Sequence, residues 1–127
     1  MSGKIVHFEI PFDDGARARG FYREVFGWNV RETPEMNYTS VSTGPTSEQG
    51  MPAEPGFING GMFARAEAAP KGPVVTIDVA SIDSALEKIE QLGGGKVVGR
   101  TEIPGMGYYA YFTDTEGNVV GLWENRS

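Results

Sequence analysis

His7 and Glu9 lie two residues apart, a spacing that in an extended segment puts both side chains on one face of a strand. An imidazole titrates near neutral pH and a carboxylate can share or orient its proton, so the pair has the makings of a general acid and base. His7 is the one histidine of the chain, and there is no cysteine. Disulfides, thiolate zinc sites, iron–sulfur ligation and a cysteine nucleophile are thereby excluded together. Ser40, Ser42 and Ser47 stand in no nucleophile motif, and no glycine-rich phosphate loop joins a strand to a helix.

The elements that must position His7 and Glu9 follow from periodicity. Over residues 5–12, Phe8, Ile10 and Phe12 alternate with His7, Glu9 and Pro11, which is the pattern of a half-buried strand. Asp13-Asp14 supplies a helix cap, Ala16, Ala18, Phe21, Tyr22 and Val25 recur at helical spacing, and Gly27 provides a stop. Strands are expected at 28–31 and 38–43, a Gly/Pro-rich loop at 44–56 and a strand at 57–65. The order then recurs: strand 74–79, Ser81 as cap, helix 82–92, the glycine run 93–95, and strands at 96–100, 108–113 and 118–124, with a loop at 101–107. A shift of 67 positions lays His7 on Val74, Ile10 on Ile77, Ala18 on Ala85, Tyr22 on Ile89 and Val30 on Val97. The expected fold is α+β, a single domain over 1–127 made of two tandem β-α-β-β-β units. The first repeat covers about 4–66, the linker about 66–73 and the second repeat about 74–126.

Composition narrows the partners. A chain of 127 residues, 39% of them hydrophobic, can bury one core without staples. Its net charge is -6 and its eleven Lys and Arg residues are scattered, which gives nucleic-acid phosphates no platform. No apolar run reaches the roughly 18 residues of a membrane span, and Met1 to Lys4 enter a strand with no secretory apolar stretch. A cytoplasmic protein with no nucleic-acid or membrane partner is expected.

Four segments together carry a family likeness: His7-Phe8-Glu9-Ile10 entering Asp13-Asp14, the helix end Phe21-Tyr22-Arg23-Glu24-Val25-Phe26-Gly27-Trp28, the second helix with its glycine run, and Asp114-Thr115-Glu116-Gly117-Asn118. With them the chain resembles the vicinal oxygen chelate superfamily, which includes glyoxalase I, extradiol dioxygenases and bleomycin-type resistance proteins. The resemblance implies mixed sheets curled into a cup-shaped cavity, pairing of chains into homodimers, and four metal-ligand positions. Carried over, those positions are His7, Val74, Gly61 and Gly121, of which only His7 can ligate. Glu124 is expected on the strand face opposite Gly121, and Glu9 about 7 Å along the strand from His7. No metal and no cofactor are therefore expected.

By the same alternation Asn59 and Phe63 share the Gly61 face, Thr76 and Asp78 the Val74 face, and Val119 and Trp123 the Gly121 face. Glycine and valine in place of ligands are expected to leave room and apolar surface for an organic molecule. The expected binding residues are His7, Glu9, Trp28, Tyr38, Asn59, Gly61, Phe63, Tyr109, Tyr111, Gly121 and Trp123, with the aromatic rings stacking and His7, Glu9 and Asn59 selecting. The resemblance thus points to metal-independent sequestration of a small aromatic molecule, as in antibiotic resistance. The alternative is a glyoxalase-like lyase or isomerase in which His7 and Glu9 do acid–base work.

Overall fold

Alternating apolar residues, two capped amphipathic stretches and frequent turns produce the expected order of elements. The structure is a computed structural model, and it describes residues 3–33, 38–66 and 70–126. Its elements are β1 (Ile5–Phe12), α1 (Gly15–Phe26), β2 (Asn29–Thr33), β3 (Tyr38–Ser42), β4 (Gly60–Ala64), β5 (Val74–Asp78), α2 (Ile82–Gln91), β6 (Gly95–Ile103), β7 (Gly107–Thr113) and β8 (Val119–Asn125). The fold class is α+β, as expected. The linker expected at 66–73 falls partly outside the described residues, which omit 67–69.

The chain divides into two compact units, residues 7–73 and residues 1–6 with 74–127. The N-terminal strand therefore starts in the C-terminal unit: the Gly3 amide donates to the Asp78 carbonyl, and the Asp78 amide to that of Lys4, both at 2.9 Å.

In the unit of residues 7–73 the strand order is β2-β3-β4-β1, with β1 and β4 parallel and the other pairs antiparallel. Phe8, Ile10 and Phe12 pack with Ala18, Tyr22 and Trp28 around buried Val30, Val41 and Met62. Asp14 caps α1 by accepting the Arg17 amide at 3.0 Å, and Gly27 ends it with φ 70°, a left-handed geometry that costs glycine no side-chain clash. The helix buries none of its residues fully, and Phe21, Val25 and Phe26 are each more than half exposed.

In the other unit the order is β5-β8-β7-β6, with β5 and β8 parallel. Ile82 and Leu86 of α2 bury against Ala110, Phe112 and Leu122. Ser81 caps this helix through the Ser84 amide, and the Glu124 carboxylate takes the Ile82 amide at 2.9 Å. Residues 101–107 form less loop than expected. β6 runs to Ile103, and a tight turn with the Met106 amide on the Ile103 carbonyl leads into β7.

Strand register gives the internal repeat its structural form. Arg31, Ser40, Gly61 and Glu9 lie side by side across β2, β3, β4 and β1. Val98, Tyr111, Gly121 and Thr76 do the same across β6, β7, β8 and β5. Gly61 thus corresponds to Gly121, Glu9 to Thr76, and Tyr38 to Tyr109.

Candidate functional site

In the unit of residues 7–73 the helix-facing side of the sheet is filled by Phe8, Ile10 and Met62, so alternation sends His7, Glu9 and Gly61 to the opposite face. Tyr38 reaches the same face from the start of β3. Its hydroxyl is 3.0 Å from His7 Nε2 and donates to Glu9 Oε2 at 3.0 Å. His7 and Glu9 are therefore not a direct pair; a phenol stands between them. Burial pushes the His7 imidazole below its ordinary value, while the Glu9 carboxylate pulls it upward.

Tyr38 also settles what Gly61 does. A Cβ at position 61 would run into the Tyr38 hydroxyl and ring, so the phenol lies where a side chain of residue 61 would be. The space expected at this glycine is filled. In the other unit a Cβ at Gly121 would come within 2.7 Å of Thr76 Oγ1. That glycine, too, is covered by its neighbour on the parallel strand rather than open.

A divalent transition metal needs three or four donors converging at about 2 Å. Among the described residues no group of three or more His, Cys, Asp or Glu side chains could hold one. His7 and Glu9 are joined through Tyr38, Gly61 has no side chain and no room for one, and Val74 and Gly121 offer no donor. The residues present do not fit the metal that the superfamily resemblance implies. Glu124 supplies no substitute, because its carboxylate accepts from Nε and Nη2 of Arg100, at 3.2 and 3.1 Å, as well as from the Ile82 amide. These bonds, the Arg100 one foremost, hold it below the usual carboxylate range.

The unit containing residues 74–127 presents aromatic rings on the Gly121 face. Ala110, Phe112 and Leu122 belong to the helix-side core, which turns Tyr109, Tyr111 and Trp123 the other way. Tyr109 is registered opposite Trp123 and Tyr111 opposite Gly121. The two tyrosine rings meet edge to face at 5.8 Å. The Trp123 ring lies over Gly107, with Cζ2 2.5 Å from where a Cβ would stand there, and its Nε1 donates to Asn125 at 2.8 Å. All three rings are half-buried.

Two expected binding residues do other work. Trp28 stacks on Tyr22 at 5.0 Å and 6° and touches Phe8 and Phe26, so it is part of the helix-side core. It follows Gly27 directly, and the turn there folds it under the helix. Asn59 accepts the Thr43 amide at 2.9 Å and donates to Thr46 at 3.0 Å, which fastens the loop between β3 and β4. Phe63 keeps the Gly61 face, opposite Pro11 in register. Sequence reasoning missed the bridging role of Tyr38 and the cover that Thr76 places over Gly121. The Tyr38–Tyr109 correspondence was a usable signal, but the gapless shift of 67 ends before β3 and hides it. A groove of about 340 Å³ in the unit of residues 7–73 lies on the helix side, lined by Phe12, Phe21, Tyr22 and Met62 among others, away from His7.

Comparison with known proteins bears on the family and the fold. The family described as bleomycin resistance protein-like N-terminal matches residues 4–44. A glyoxylase-like domain-containing protein of Didymella fabae is 30% identical over 126 residues, covering 96% of this chain and 94% of that protein. A Mycobacterium tuberculosis protein named as a glyoxylase, CFP32, is 26% identical over 124 residues, and the chain spans 43% of its length. Among solved structures, a Streptomyces coelicolor methylmalonyl-CoA epimerase variant in complex with 2-nitronate-propionyl-CoA superposes with a TM-score of 0.67. It is 16% identical and covers 100% of this chain and 97% of its own. The Mycobacterium tuberculosis methylmalonyl-CoA epimerase gives 0.64 at 14% identity, covering 99% and 90%. At those identities the likeness is one of fold.

Proposed function

The chain belongs to the glyoxylase-like family of the vicinal oxygen chelate superfamily, and on that premise we propose that it binds a small, flat organic molecule without a metal, as a resistance-type sequestering protein does. The observation that carries this reading is the face bearing Tyr109, Tyr111 and Trp123. Three half-buried rings sit on one sheet surface, backed by the buried core of α2, and none is used to fill that core. Rings held in this way stack on a planar ligand at little entropic cost. The poor fit of His7, Val74, Gly61 and Gly121 to a metal supports the metal-independent part. Exposing the protein to a panel of aromatic natural products and α-ketoaldehydes in a thermal-shift assay tests the reading. A ligand at 100 times its dissociation constant adds about 2.7 kcal/mol to stability. An aromatic hit whose effect is lost in Trp123→Ala supports it, and hits confined to α-ketoaldehydes that are consumed on incubation refute it.

A second reading, a lyase or isomerase of the glyoxalase type, has one observation in its favour. The chain His7···Tyr38···Glu9 is a hydrogen-bonded path along which a proton can move. The protein is further proposed to pair as a homodimer in the cytoplasm. Support for pairing comes from the family, and light scattering across a wide concentration range checks it. No helix among the described residues is long and apolar enough to cross a membrane.

A further inference from the structure

Residues of α1 fall into rows at i, i+4 spacing, and two adjacent rows are committed to the sheet of their own unit. Ala18 and Tyr22 pack in its core, Arg19 pairs with Glu32, and Arg23 donates to the Val30 carbonyl. The other two rows, Arg17-Phe21-Val25 and Ala16-Gly20-Glu24, turn outward. Phe21 is 56% exposed and Val25 55%. Neither Arg17 nor Glu24 has an ion-pair partner among the described residues. Gly20 answers no need of the fold. Glycine is disfavoured inside a helix, Gly20 is not among the residues with left-handed φ, and a Cβ there would meet nothing within 4 Å.

We propose that this outward face of α1 is where two copies of the chain pair, their helices antiparallel about a two-fold axis that passes between Gly20 and Phe21. The two rows are complementary to themselves in that arrangement. Each Phe21 ring falls over Gly20 of the other copy, where the missing side chain makes room, and each Val25 falls over Ala16. At both ends Arg17 of one helix meets Glu24 of the other, so the axis generates two equal ion pairs. Charge favours this face over the rest of the surface: copies with a net charge of -6 repel, whereas the face brings one cation and one anion to each contact. Exposed apolar side chains at the centre of a charge-matched surface are what an association site requires. The inference rests on the proposal that the chain forms homodimers, and it names the face by which it does so.

Sedimentation equilibrium of the full chain, from micromolar to millimolar concentration, tests the face through three single variants. Gly20→Met puts a long side chain where the Phe21 ring of the other copy would lie, and the open space around a Cβ at this position leaves the monomer fold undisturbed. Arg17→Glu sets two carboxylates against each other at each end, and Glu24→Arg sets two guanidinium groups. Both charge changes suit the helix dipole, so α1 itself is not weakened, as circular dichroism would show. Each single variant should raise the dimer dissociation constant by about tenfold or more. An equal mixture of the Arg17→Glu and Glu24→Arg chains should pair as heterodimers with near-native affinity, and the double variant as homodimers, because opposite charges again face each other. A dimer left intact by Gly20→Met overturns the inference while homodimer formation stands, and so does a mixture that pairs no better than its components. A chain that stays monomeric at every concentration removes both.

Discussion

Gly61→Ala is the smallest change that challenges the arrangement around Tyr38. The added methyl occupies space that the phenol now fills, so the Tyr38 ring has to swing away and its hydroxyl leaves both partners. The bond to the Glu9 carboxylate contributes about 1.5–3 kcal/mol and the bond to His7 about 0.5–1.5 kcal/mol. Allowing for partial replacement by water, the variant should lose about 2–4 kcal/mol of stability. That is opposite to the ordinary expectation for a strand, where glycine to alanine stabilises by roughly 0.5–1 kcal/mol. Tyr38→Ala loses the same two bonds and part of a half-buried ring, at about 3–5 kcal/mol. In the double variant the new methyl enters the vacated space and should cost nothing more, so the double-mutant cycle should show a coupling of about 2–4 kcal/mol. Urea unfolding of the four proteins, followed by circular dichroism with equal m-values, measures it. Additivity to within about 0.5 kcal/mol would show that Tyr38 does not occupy the side-chain space of residue 61.

Leu122 is 2% exposed in the α2 core, and its truncation to alanine should cost about 2–5 kcal/mol. Trp123→Ala, on the other face of the same strand, should cost less stability and instead weaken aromatic ligands by about 1–3 kcal/mol, as titration calorimetry would show. Trp28→Ala should behave in the reverse way: its stack on Tyr22 makes it a core residue, so about 3–5 kcal/mol of stability is lost with ligand affinity unchanged. The pH dependence follows from His7. Burial holds its folded value below 6.5 against the opposing pull of Glu9, so the unfolded chain takes up the proton first. The contribution of neutral His7 is therefore complete above about pH 6.5 and declines as pH falls from there through the folded value. Stability curves of the protein and of His7→Gln should converge over that window, and a difference that grows on acidification would contradict the sign.

Much of the fold was legible because it rests on short-range signals. Alternation in β1, the Asp14 and Ser81 caps and the Gly27 stop each act within a few residues, and both helices start where those signals put them. The sides of the strands were legible for the same reason: a period of two separates Leu122 from Trp123 whatever the surroundings. The site was legible in its residue types but not in its contacts. Gly61 and Gly121 read as vacancies because a sequence shows what a residue lacks and not what a neighbouring strand puts there. Tyr38 lies 31 residues from His7, and only the β3–β4 register carries it over Gly61. Trp28 and Asn59 were misplaced for a related reason. Each stands just outside a regular strand, where alternation no longer fixes direction and local turns decide.

Metal independence is the claim on which the rest depends, and elemental analysis of the protein prepared without chelator, followed by titration with zinc, nickel and manganese, tests it most directly. With one imidazole, a phenol in the place of a second ligand and no donor at Val74, Gly61 or Gly121, the protein should carry less than about 0.1 metal ion per chain and show no binding that depends on His7. Close to one zinc, nickel, iron or manganese ion per chain, lost in His7→Ala, would contradict the account.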